Sequence, residues 1–275
     1  MTFGARLREA MDNRGPLCVG IDPHPALMDQ WGMTDSAFGL EKFAMNAVEA
    51  LAGTSAVVKP QSAFFERHGS AGIAVLEKVV AAARGLGAIV LLDVKRGDIG
   101  STAQAYADAY LDPTSPLAVD AITASPFLGF GSLQPMVDTA LAHDAGLFVL
   151  ALTSNPEGAQ VQHARTEDGR TVAGSVLDAI ATLNVDAHPM GSVGAVVGAT
   201  IGETGENLDI RGPLLVPGVG AQGGTPADVR RIFGAAAANV LPSSSREILG
   251  AGPDKAALRQ AAERAAAEFA DLADA

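Results

Sequence analysis

The chain has 275 residues, of which 48% are hydrophobic and 18% are charged. It is therefore long enough to bury a large core, either as one large α/β domain or as two smaller ones. Its formal net charge of −12 argues against broad electrostatic binding to nucleic acid or to an anionic membrane surface, because both need a basic face. Any anionic ligand must therefore be held by a local basic pocket.

Neither the cysteine content nor the N-terminus indicates an exported or membrane-bound protein. Cys18 is the single cysteine, so the chain has no internal disulfide framework and no cysteine-based zinc cluster, which suits a reducing cytosol. We expect Cys18 to be buried and inert. The first ten residues carry scattered charges and lack the apolar core of a signal peptide, and no apolar run approaches the roughly 18 residues of a membrane span. We therefore expect a cytoplasmic protein.

Short apolar runs alternate with helical periodicity along the chain. The first run, residues 17–21, is closed by Asp22 and Pro23, as is typical of a buried parallel strand. From Leu40 to Leu51 the apolar residues recur with the spacing of one helix face. Further strands are predicted to begin near residues 56, 88, 118, 147, 193, 214 and 239, and further helices to cover about 63–84, 101–111, 133–142, 172–183, 226–237 and 254–272.

This alternation predicts a (β/α)₈ TIM barrel. Eight βα units fit into about 250 residues of such a barrel. A doubly wound open sheet usually has fewer strands and often carries a GxGxxG turn after the first strand, and this turn is absent here. No composition break or low-complexity linker divides the chain. We therefore predict a single barrel domain that covers residues 1–275.

Charged and hydroxyl side chains follow several predicted strands at their carboxyl ends. In the most unusual case, an apolar run leads directly into Asp93, Lys95 and Asp98. Alternate residues of a strand face the same side, so Asp93 and Lys95 should project together, whereas Asp98 falls on the loop beyond. The other residues at such positions are Asp22, Lys59, Ser125, Thr153 and Thr200.

The carboxyl ends of the strands meet at one rim of a barrel, where the active site lies in barrels of this type. Taken singly, these residues could be structural: Asp22 could cap a helix, Lys59 could extend to solvent, and Ser125 could begin a turn. Charges of alternating sign at the ends of successive strands are harder to explain by structure alone. We therefore predict a functional site at this rim.

A glycine-rich segment follows the seventh predicted strand. It covers residues 217–224, with the sequence Pro-Gly-Val-Gly-Ala-Gln-Gly-Gly, and residues 243–246, three serines and Arg246, end the eighth strand. Barrels often bind phosphate at this place through backbone N–H groups, and a guanidinium group matches phosphate oxygens. Together the two segments predict a phosphate site with Arg246 as its cation.

The histidines and one long loop are the remaining candidates. His24, His68, His143, His163 and His188 are dispersed and show neither HxH nor HExxH spacing, so we predict no metal site. Residues 154–170 form a segment that is long for a βα loop. Such loops are often lids over an active site, but a surface insertion explains this one equally well.

Four motifs in this chain resemble those of the orotidine 5′-phosphate decarboxylase family. Residues 93–100, Asp-Val-Lys-Arg-Gly-Asp-Ile-Gly, resemble its DxKxxDI signature, and residues 59–66, 217–224 and 244–246 resemble its longer bacterial branch. The similarity runs from about Gly20 to Leu249 and so covers essentially the whole predicted barrel. The DxKxxD pattern alone is less specific, because related sugar-phosphate decarboxylases and synthases share it.

The resemblance implies an activity without metal or organic cofactor, and it implies roles for single residues. The family removes CO₂ from orotidine 5′-phosphate to give uridine 5′-phosphate, the last step of pyrimidine nucleotide synthesis. The implied catalytic network consists of Lys59, Asp93, Lys95 and Asp98. The implied substrate contacts are Asp22 and Lys59 at the ribose, Ser125 at the pyrimidine edge, Gln222 at the base and phosphate, and Gly223, Gly224 and Arg246 at the phosphate.

The resemblance also implies a homodimer with shared active sites, because in the family Asp98 and Thr102 would enter the site of the neighbouring subunit. Loss of CO₂ leaves a carbanion at C6 in the plane of the pyrimidine ring, where the π system cannot delocalise it. Lys95 would offset this charge, since an ammonium about 4 Å away contributes on the order of 4 kcal/mol at an effective dielectric constant of 20. Lys95 would then protonate C6, while Asp93 holds Lys95 and lies near the departing carboxylate.

Two alternatives remain for the function. One is a metal-dependent sugar-phosphate decarboxylase or lyase on the same barrel, which Lys59 and Lys95 disfavour because they compete with a metal ion. The other is a non-catalytic protein that binds a phosphoribosyl ligand. The complete array of alternating charges disfavours this second alternative.

Overall fold

Eight parallel strands close into a barrel in chain order, with the last strand paired to the first. The computed structural model describes residues 1–220 and 223–274, with the side chains of residues 273 and 274 excepted. The predicted barrel of eight parallel strands is confirmed. The strands are β1 (Cys18–Ile21), β2 (Val57–Pro60), β3 (Ile89–Arg96), β4 (Ala121–Ala124), β5 (Gly146–Leu152), β6 (Val193–Val197), β7 (Leu214–Pro217) and β8 (Val240–Ser244).

Helices lie between the strands and pack on the outside of the barrel. The connection from β6 to β7, residues 198–213, is fully described and contains no helix. The α-helices are α1 (Phe3–Arg14), α2 (Pro25–Gln30), α3 (Ala37–Leu51), α4 (Ser62–Glu66), α5 (Gly69–Gly85), α6 (Gly100–Leu111), α7 (Gln134–Ala142), α8 (Ala159–Gln162), α9 (Val172–Leu183), α10 (Pro226–Phe233), α11 (Arg246–Leu249) and α12 (Lys255–Glu268).

Three helices predicted from the sequence differ in the structure. The helix predicted over residues 63–84 is divided into α4 and α5, and the one predicted over 254–272 ends as an α-helix at Glu268. The pattern predicts a helix over residues 226–237, but α10 ends at Phe233 and a 3₁₀ helix, Gly234–Asn239, follows. Gly234 has a φ of 48°, a left-handed value that a helix interior does not accept. At its other end α10 begins with a capping box, in which the side chains of Thr225 and Asp228 each accept a backbone N–H.

Strand side chains alternate between the barrel interior and the layer beneath the helices. Cys18, Leu91 and Phe148 belong to the interior cluster. Their strand neighbours Val19 and Val90 belong to the outer cluster, which packs against the helices. A strand of a closed barrel is thus buried on both faces, which explains why the sequence shows continuous apolar runs rather than alternation.

Helix α1 closes the amino-terminal end of the barrel, and the sequence pattern did not predict it. Phe3 and Leu7 are fully buried and join the interior cluster. The Phe3 ring packs edge-to-face on Phe148, with ring centroids 6.1 Å apart, and it lies so close to Gly146 that a side chain there would collide with it. The barrel interior at this end is therefore filled with apolar side chains, whereas the buried Lys59 and Asp93 lie toward the opposite end.

Candidate active site

Asp93 lies at the centre of a hydrogen-bonded network at the carboxyl ends of β2, β3 and β4. The residue is only 7% exposed. Its Oδ2 accepts from Lys59 Nζ at 3.2 Å and from Gln61 Nε2 at 2.9 Å. Its Oδ1 accepts from Lys95 Nζ at 2.6 Å and from Thr123 Oγ1 at 2.8 Å. One buried carboxylate thus receives four donors, two of which are lysine side chains.

The strand register explains why these residues meet. Val58 pairs with Val90, and Gln61 forms an isolated bridge with Asp93, so the carboxyl end of β2 lies beside Asp93 on β3. Lys59 and Gln61 are two residues apart and both reach Asp93, as expected for neighbours on the same side of a strand. The predicted meeting of Lys59, Asp93 and Lys95 at one rim is therefore observed.

Burial and charge act in opposite directions on the two buried groups. Burial acts to raise the pKa of the Asp93 carboxyl, but the charges of Lys59 and Lys95 and the hydrogen bonds from Lys95 and Thr123 hold it below its usual range. Burial acts to lower the pKa of Lys59, but the charges of Asp93 and Asp22 hold it above its usual range. Asp93 is thus ionised and Lys59 protonated at neutral pH.

Asp22 and Ser245 converge on the barrel mouth between β1 and β8. A Cβ at Gly20 would lie 2.7 Å from the Cβ of Ser245, 3.0 Å from its Oγ and 3.1 Å from Oδ2 of Asp22. Among the described residues, Asp22 Oδ1, Ser244 Oγ and Ser245 Oγ are buried without a hydrogen-bond partner. Buried polar atoms are rarely left unpaired, because this is energetically costly. This part of the rim can therefore accept a polar ligand.

The residues predicted to bind phosphate do not form a ready phosphate site in this conformation. The Arg246 side chain is exposed in the first turn of α11 and forms no ion pair with the described residues. The amides of Gly223 and Gly224 donate to the carbonyls of Gly220, at 2.7 Å, and Gly218, at 2.9 Å. In this conformation neither amide is available to a phosphate oxygen. Gln222, the predicted contact to base and phosphate, lies outside the described residues.

Asp98, Thr102 and Ser125 do not join the Asp93 network within this chain. Asp98 Oδ1 accepts from the amide of Ile99 at 2.8 Å, and Thr102 is exposed on α6. Ser125 lines a cavity of about 550 Å³ together with Leu150 and the residues around α9. The cavity beside Asp93 and Lys95 is a separate one of about 300 Å³.

Sequence reasoning missed Gln61 and Thr123 as members of the network. The position of Gln61, two residues beyond Lys59, could have indicated that both side chains face the same way. No sequence signal distinguishes Thr123, because a threonine within an apolar strand is ordinary.

The long loop 154–170 is attached by hydrogen bonds to Thr153, the residue that follows β5. It contains a 3₁₀ helix, Pro156–Gly158, and α8. Gln162 at the end of α8 accepts from the backbone N–H of Thr153 at 2.9 Å and donates to its hydroxyl at 2.7 Å. Thr153 is therefore tied to this loop. Thr200 lines a polar cavity of about 470 Å³ together with Thr153 and Glu206.

Cys18 is buried in the barrel interior, as expected, and burial raises the pKa of its thiol to about 12. The side chains that the structure describes, those of residues 1–220 and 223–272, contain no group of three His, Cys, Asp or Glu that could hold a metal ion. None of the helices in this part of the chain is both long enough and apolar enough to cross a membrane.

Comparison with known proteins places this chain in a family. Residues 15–261 match the family model described as orotidine 5′-phosphate decarboxylase / HUMPS family. The chain belongs to this family. It is 69% identical over 250 residues to the orotidine 5′-phosphate decarboxylase of Nocardioides sp., covering 90% of this chain and 91% of the relative. It is 63% identical over 268 residues to the orotidine 5′-phosphate decarboxylase of Salinispora arenicola, covering 97% and 96%.

Solved structures of orotidine 5′-phosphate decarboxylases and related barrels share the whole fold. A crystal structure from Streptomyces avermitilis superposes with a TM-score of 0.97 at 59% identity and covers 100% of this chain and 96% of that one. The OMP decarboxylase of Leishmania donovani superposes with a TM-score of 0.79 at 32% identity and covers 100% of both chains. The family assignment made from the four sequence motifs is therefore confirmed.

Proposed function

We propose that this chain removes CO₂ from orotidine 5′-phosphate to form uridine 5′-phosphate in pyrimidine biosynthesis, without a metal or organic cofactor. The observation that carries the proposal is the buried Asp93 carboxylate held between the Lys59 and Lys95 side chains. Relatives that are 60–69% identical are named for this activity. A buried ion pair is weak evidence for stability, so a chemical role explains this array better than a structural one.

Lys95 is the residue that meets the reacting carbon in this proposal. Its side chain is 48% exposed, whereas those of Lys59 and Asp93 are 8% and 9% exposed. Lys95 can therefore reach a bound substrate while Asp93 fixes its ammonium group. When the bond between C6 and the carboxylate breaks, the electron pair stays on C6 beside that ammonium. Lys95 then transfers a proton from Nζ to C6, and solvent returns a proton to Lys95.

The remaining contacts hold the substrate away from the reacting carbon. We assign Asp22 and Lys59 to the ribose hydroxyls, and the unpaired Asp22 Oδ1 supports this, since a hydroxyl is the donor it lacks. Binding energy gained at a distance from C6 can order the reacting groups. The proposed contacts to the base are Ser125 and Gln222, and those to the phosphate are Gln222, Gly223, Gly224 and Arg246. The two glycine amides would need a rearranged loop to take part.

A homodimer with shared active sites is part of this proposal. Asp98 and Thr102 would enter the partner's site. The nearest support is a set of large apolar side chains exposed in the loops after β3 and β4: Ile99 is 62% exposed, Phe127 75% and Leu128 53%. Mixing inactive Lys95→Ala and Asp98→Ala proteins should restore part of the activity, because mixed dimers contain one intact site. No recovery from dimers that exchange subunits would contradict the shared site.

The direct test is a spectrophotometric assay of the purified chain with orotidine 5′-phosphate. We expect loss of the orotate-type absorbance, and we expect EDTA to leave the rate unchanged. Inhibition by EDTA with recovery on adding Mg²⁺ would favour the metal-dependent lyase instead. Tight binding of the nucleotide without any absorbance change would favour the non-catalytic binder.

We also propose one barrel domain and a cytoplasmic location, to which the reduced and buried Cys18 is suited.

A further inference from the structure

The pairing of β3 with β4 is interrupted beside the site. Leu92 pairs with Ile122, and Arg96 pairs with Ala124. Asp93, Val94 and Lys95 on β3 therefore lie opposite one residue of β4, Thr123. A bulge of this kind leaves backbone N–H groups without their partners in the sheet, and buried N–H groups need a partner.

The Thr123 hydroxyl supplies the missing partner. It accepts from the amide of Val94 at 3.0 Å and from the amide of Lys95 at 2.9 Å. A hydroxyl has two acceptor lone pairs and one hydrogen. Because the two backbone N–H groups can only donate, the hydroxyl hydrogen of Thr123 is donated to Asp93 Oδ1, 2.8 Å away. With Thr123 only 1% exposed, the whole hydrogen-bonding capacity of its hydroxyl is used inside the site.

Through these hydrogen bonds the Thr123 hydroxyl contacts both the backbone of Lys95 and the carboxylate that binds the Lys95 ammonium. The backbone of Lys95 has a φ of 44°, a left-handed value that is uncommon for a residue with a long side chain and that needs support from its surroundings. The hydrogen bond from the backbone N–H of Lys95 to the Thr123 hydroxyl gives that support. The other end of Lys95, its Nζ, contacts the same Asp93 oxygen that receives the Thr123 hydrogen. One hydroxyl thus touches both the backbone and the counter-ion of Lys95.

We infer that Thr123 is a positioning residue, whose hydroxyl holds the left-handed backbone of Lys95 and the Oδ1 atom of Asp93 so that the Lys95 ammonium is aimed at C6. The inference rests on the proposed function, because it assigns a purpose to Lys95. Thr123 itself touches the backbone and Asp93, not the substrate. It should therefore act on the chemical step and leave substrate binding nearly unchanged.

The test compares Thr123→Val with Thr123→Ser. Valine has the same shape but no hydroxyl, whereas serine keeps the hydroxyl. A misplacement of about 1 Å in an active site can cost about 100-fold in rate, so we expect kcat of Thr123→Val to fall about 100-fold with KM close to that of the unaltered chain. Thr123→Ser should retain most of kcat.

A pH profile separates positioning from a merely structural role. The Thr123 hydrogen bond favours the ionised form of Asp93, so its loss should raise the pKa of Asp93. The acid limb of the kcat profile should then move to higher pH in Thr123→Val and stay in place in Thr123→Ser. The inference is overturned if folded Thr123→Val keeps kcat within about threefold of the unaltered chain, or if serine is as damaging as valine.

Two further outcomes are also decisive. If Thr123→Val does not fold, Thr123→Cys replaces it, because a thiol is a weaker hydrogen-bonding group; a kcat for cysteine equal to that for serine overturns the inference, and a much lower one supports it. If the unaltered chain shows no decarboxylation, the proposed function fails. The positioning role is then judged by crystallography of the Thr123→Val protein, in which an unchanged left-handed backbone and side-chain position of Lys95 would overturn it.

Discussion

The two ends of the barrel bury charged groups in opposite ways. At the amino-terminal end, Asp120 is 7% exposed and both of its oxygens are paired, Oδ1 with Arg6 Nη1 at 2.7 Å and Oδ2 with the amide of Val90 at 3.0 Å. At the carboxyl end, Asp22 and Ser245 carry buried oxygen atoms that no described residue satisfies. The buried aspartate at the amino-terminal end is thus fully paired, whereas the one at the mouth of the carboxyl end keeps an unused acceptor.

This difference separates stability from function along the barrel axis. Around Phe3 and Phe148 the amino-terminal end is closed by apolar contacts, which stabilise the fold. The carboxyl end contains the buried Lys59–Asp93 ion pair, which is weak evidence for stability, and a left-handed Lys95, a strained backbone of the kind that proteins retain at sites of function. Substitutions at the two ends should therefore affect different measurements.

The largest effect on activity is expected for Lys95→Ala. An ammonium near the developing carbanion is worth on the order of 4 kcal/mol, so its removal should lower kcat by at least about 1000-fold. Stability should change little, because half of the Lys95 side chain is exposed and Asp93 keeps Lys59, Gln61 and Thr123 as donors. Lys78→Ala, at a surface ion pair with Glu41, is the control. Activity of Lys95→Ala near that of the control would remove Lys95 from the mechanism.

The largest effect on stability is expected for Phe3→Ala at the opposite end. Removing a fully buried aromatic ring typically costs about 3–5 kcal/mol, and urea unfolding measures this loss. The kcat of the molecules that remain folded should be unchanged. Phe38→Ala removes a ring that is 67% exposed and should change the free energy of unfolding by no more than about 0.5 kcal/mol. Equal losses at the two positions would contradict the role of α1 as the closure of the barrel.

The sequence predicts this division only in part. Apolar runs located all eight strands, because each is buried on both faces, and the abrupt charges at 59, 93 and 95 located the rim. Helix α1 was missed because half of its residues, including Arg6, Arg8 and Arg14, are polar or charged. Its buried apolar positions become meaningful only once the open end of a barrel is known to need closing.

The contacts around Asp93 show a second limit of prediction from the sequence. Thr123 meets Asp93 only because the β3–β4 register shifts beside it, and a register shift leaves no trace in composition or periodicity. In the same way, the resemblance to the family names Gly223 and Gly224 as phosphate contacts, but it cannot show that their amides are occupied within the loop. Positions along a strand are read from the sequence, whereas pairing between strands depends on the folded barrel.

A pH-dependent stability is expected from the buried pair at the carboxyl end. The pKa of Asp93 lies below its usual value of 3.8 in the folded chain, so its ionised form stabilises the fold above that pH, and the contribution is lost as the pH falls through the folded-state pKa. Removing one partner of a buried pair typically costs about 3–5 kcal/mol. We expect Asp93→Asn to lose roughly 3 kcal/mol at pH 7.

The difference between Asp93→Asn and the unaltered chain should shrink as the pH falls below about 3.8, because Asp93 then binds a proton in the unfolded chain, whereas the folded chain binds it only near its own, lower pKa. Urea unfolding at neutral and acid pH measures both values. Asp138→Asn, at an exposed position on α7, controls for general charge effects. A difference that stays constant with pH would show that the ion pair, as opposed to packing of the side chain, contributes nothing.

The smallest expected effects are those of removing Arg246 at the carboxyl end and Arg14 at the amino-terminal end, and they compare the two ends directly. Arg246 is exposed at the carboxyl end, and a hydrogen bond to a charged group contributes about 1.5–3 kcal/mol. Arg246→Ala should therefore raise KM about 10- to 100-fold, with a smaller fall in kcat and an unchanged free energy of unfolding. Arg246→Lys should recover part of this, because lysine keeps the charge but lacks the fork of donors.

At the other end, Arg14 donates to the carbonyls of Ser55 and Gly87, at 3.3 and 3.1 Å. Arg14→Ala should lower the free energy of unfolding by about 1 kcal/mol and leave KM unchanged, since those bonds join α1 to the loops before β2 and β3. Steady-state kinetics and urea unfolding on both alanine variants test the contrast. If Arg246→Ala changes stability while KM stays constant, Arg246 belongs to the scaffold, and the phosphate must be held by other groups at the rim.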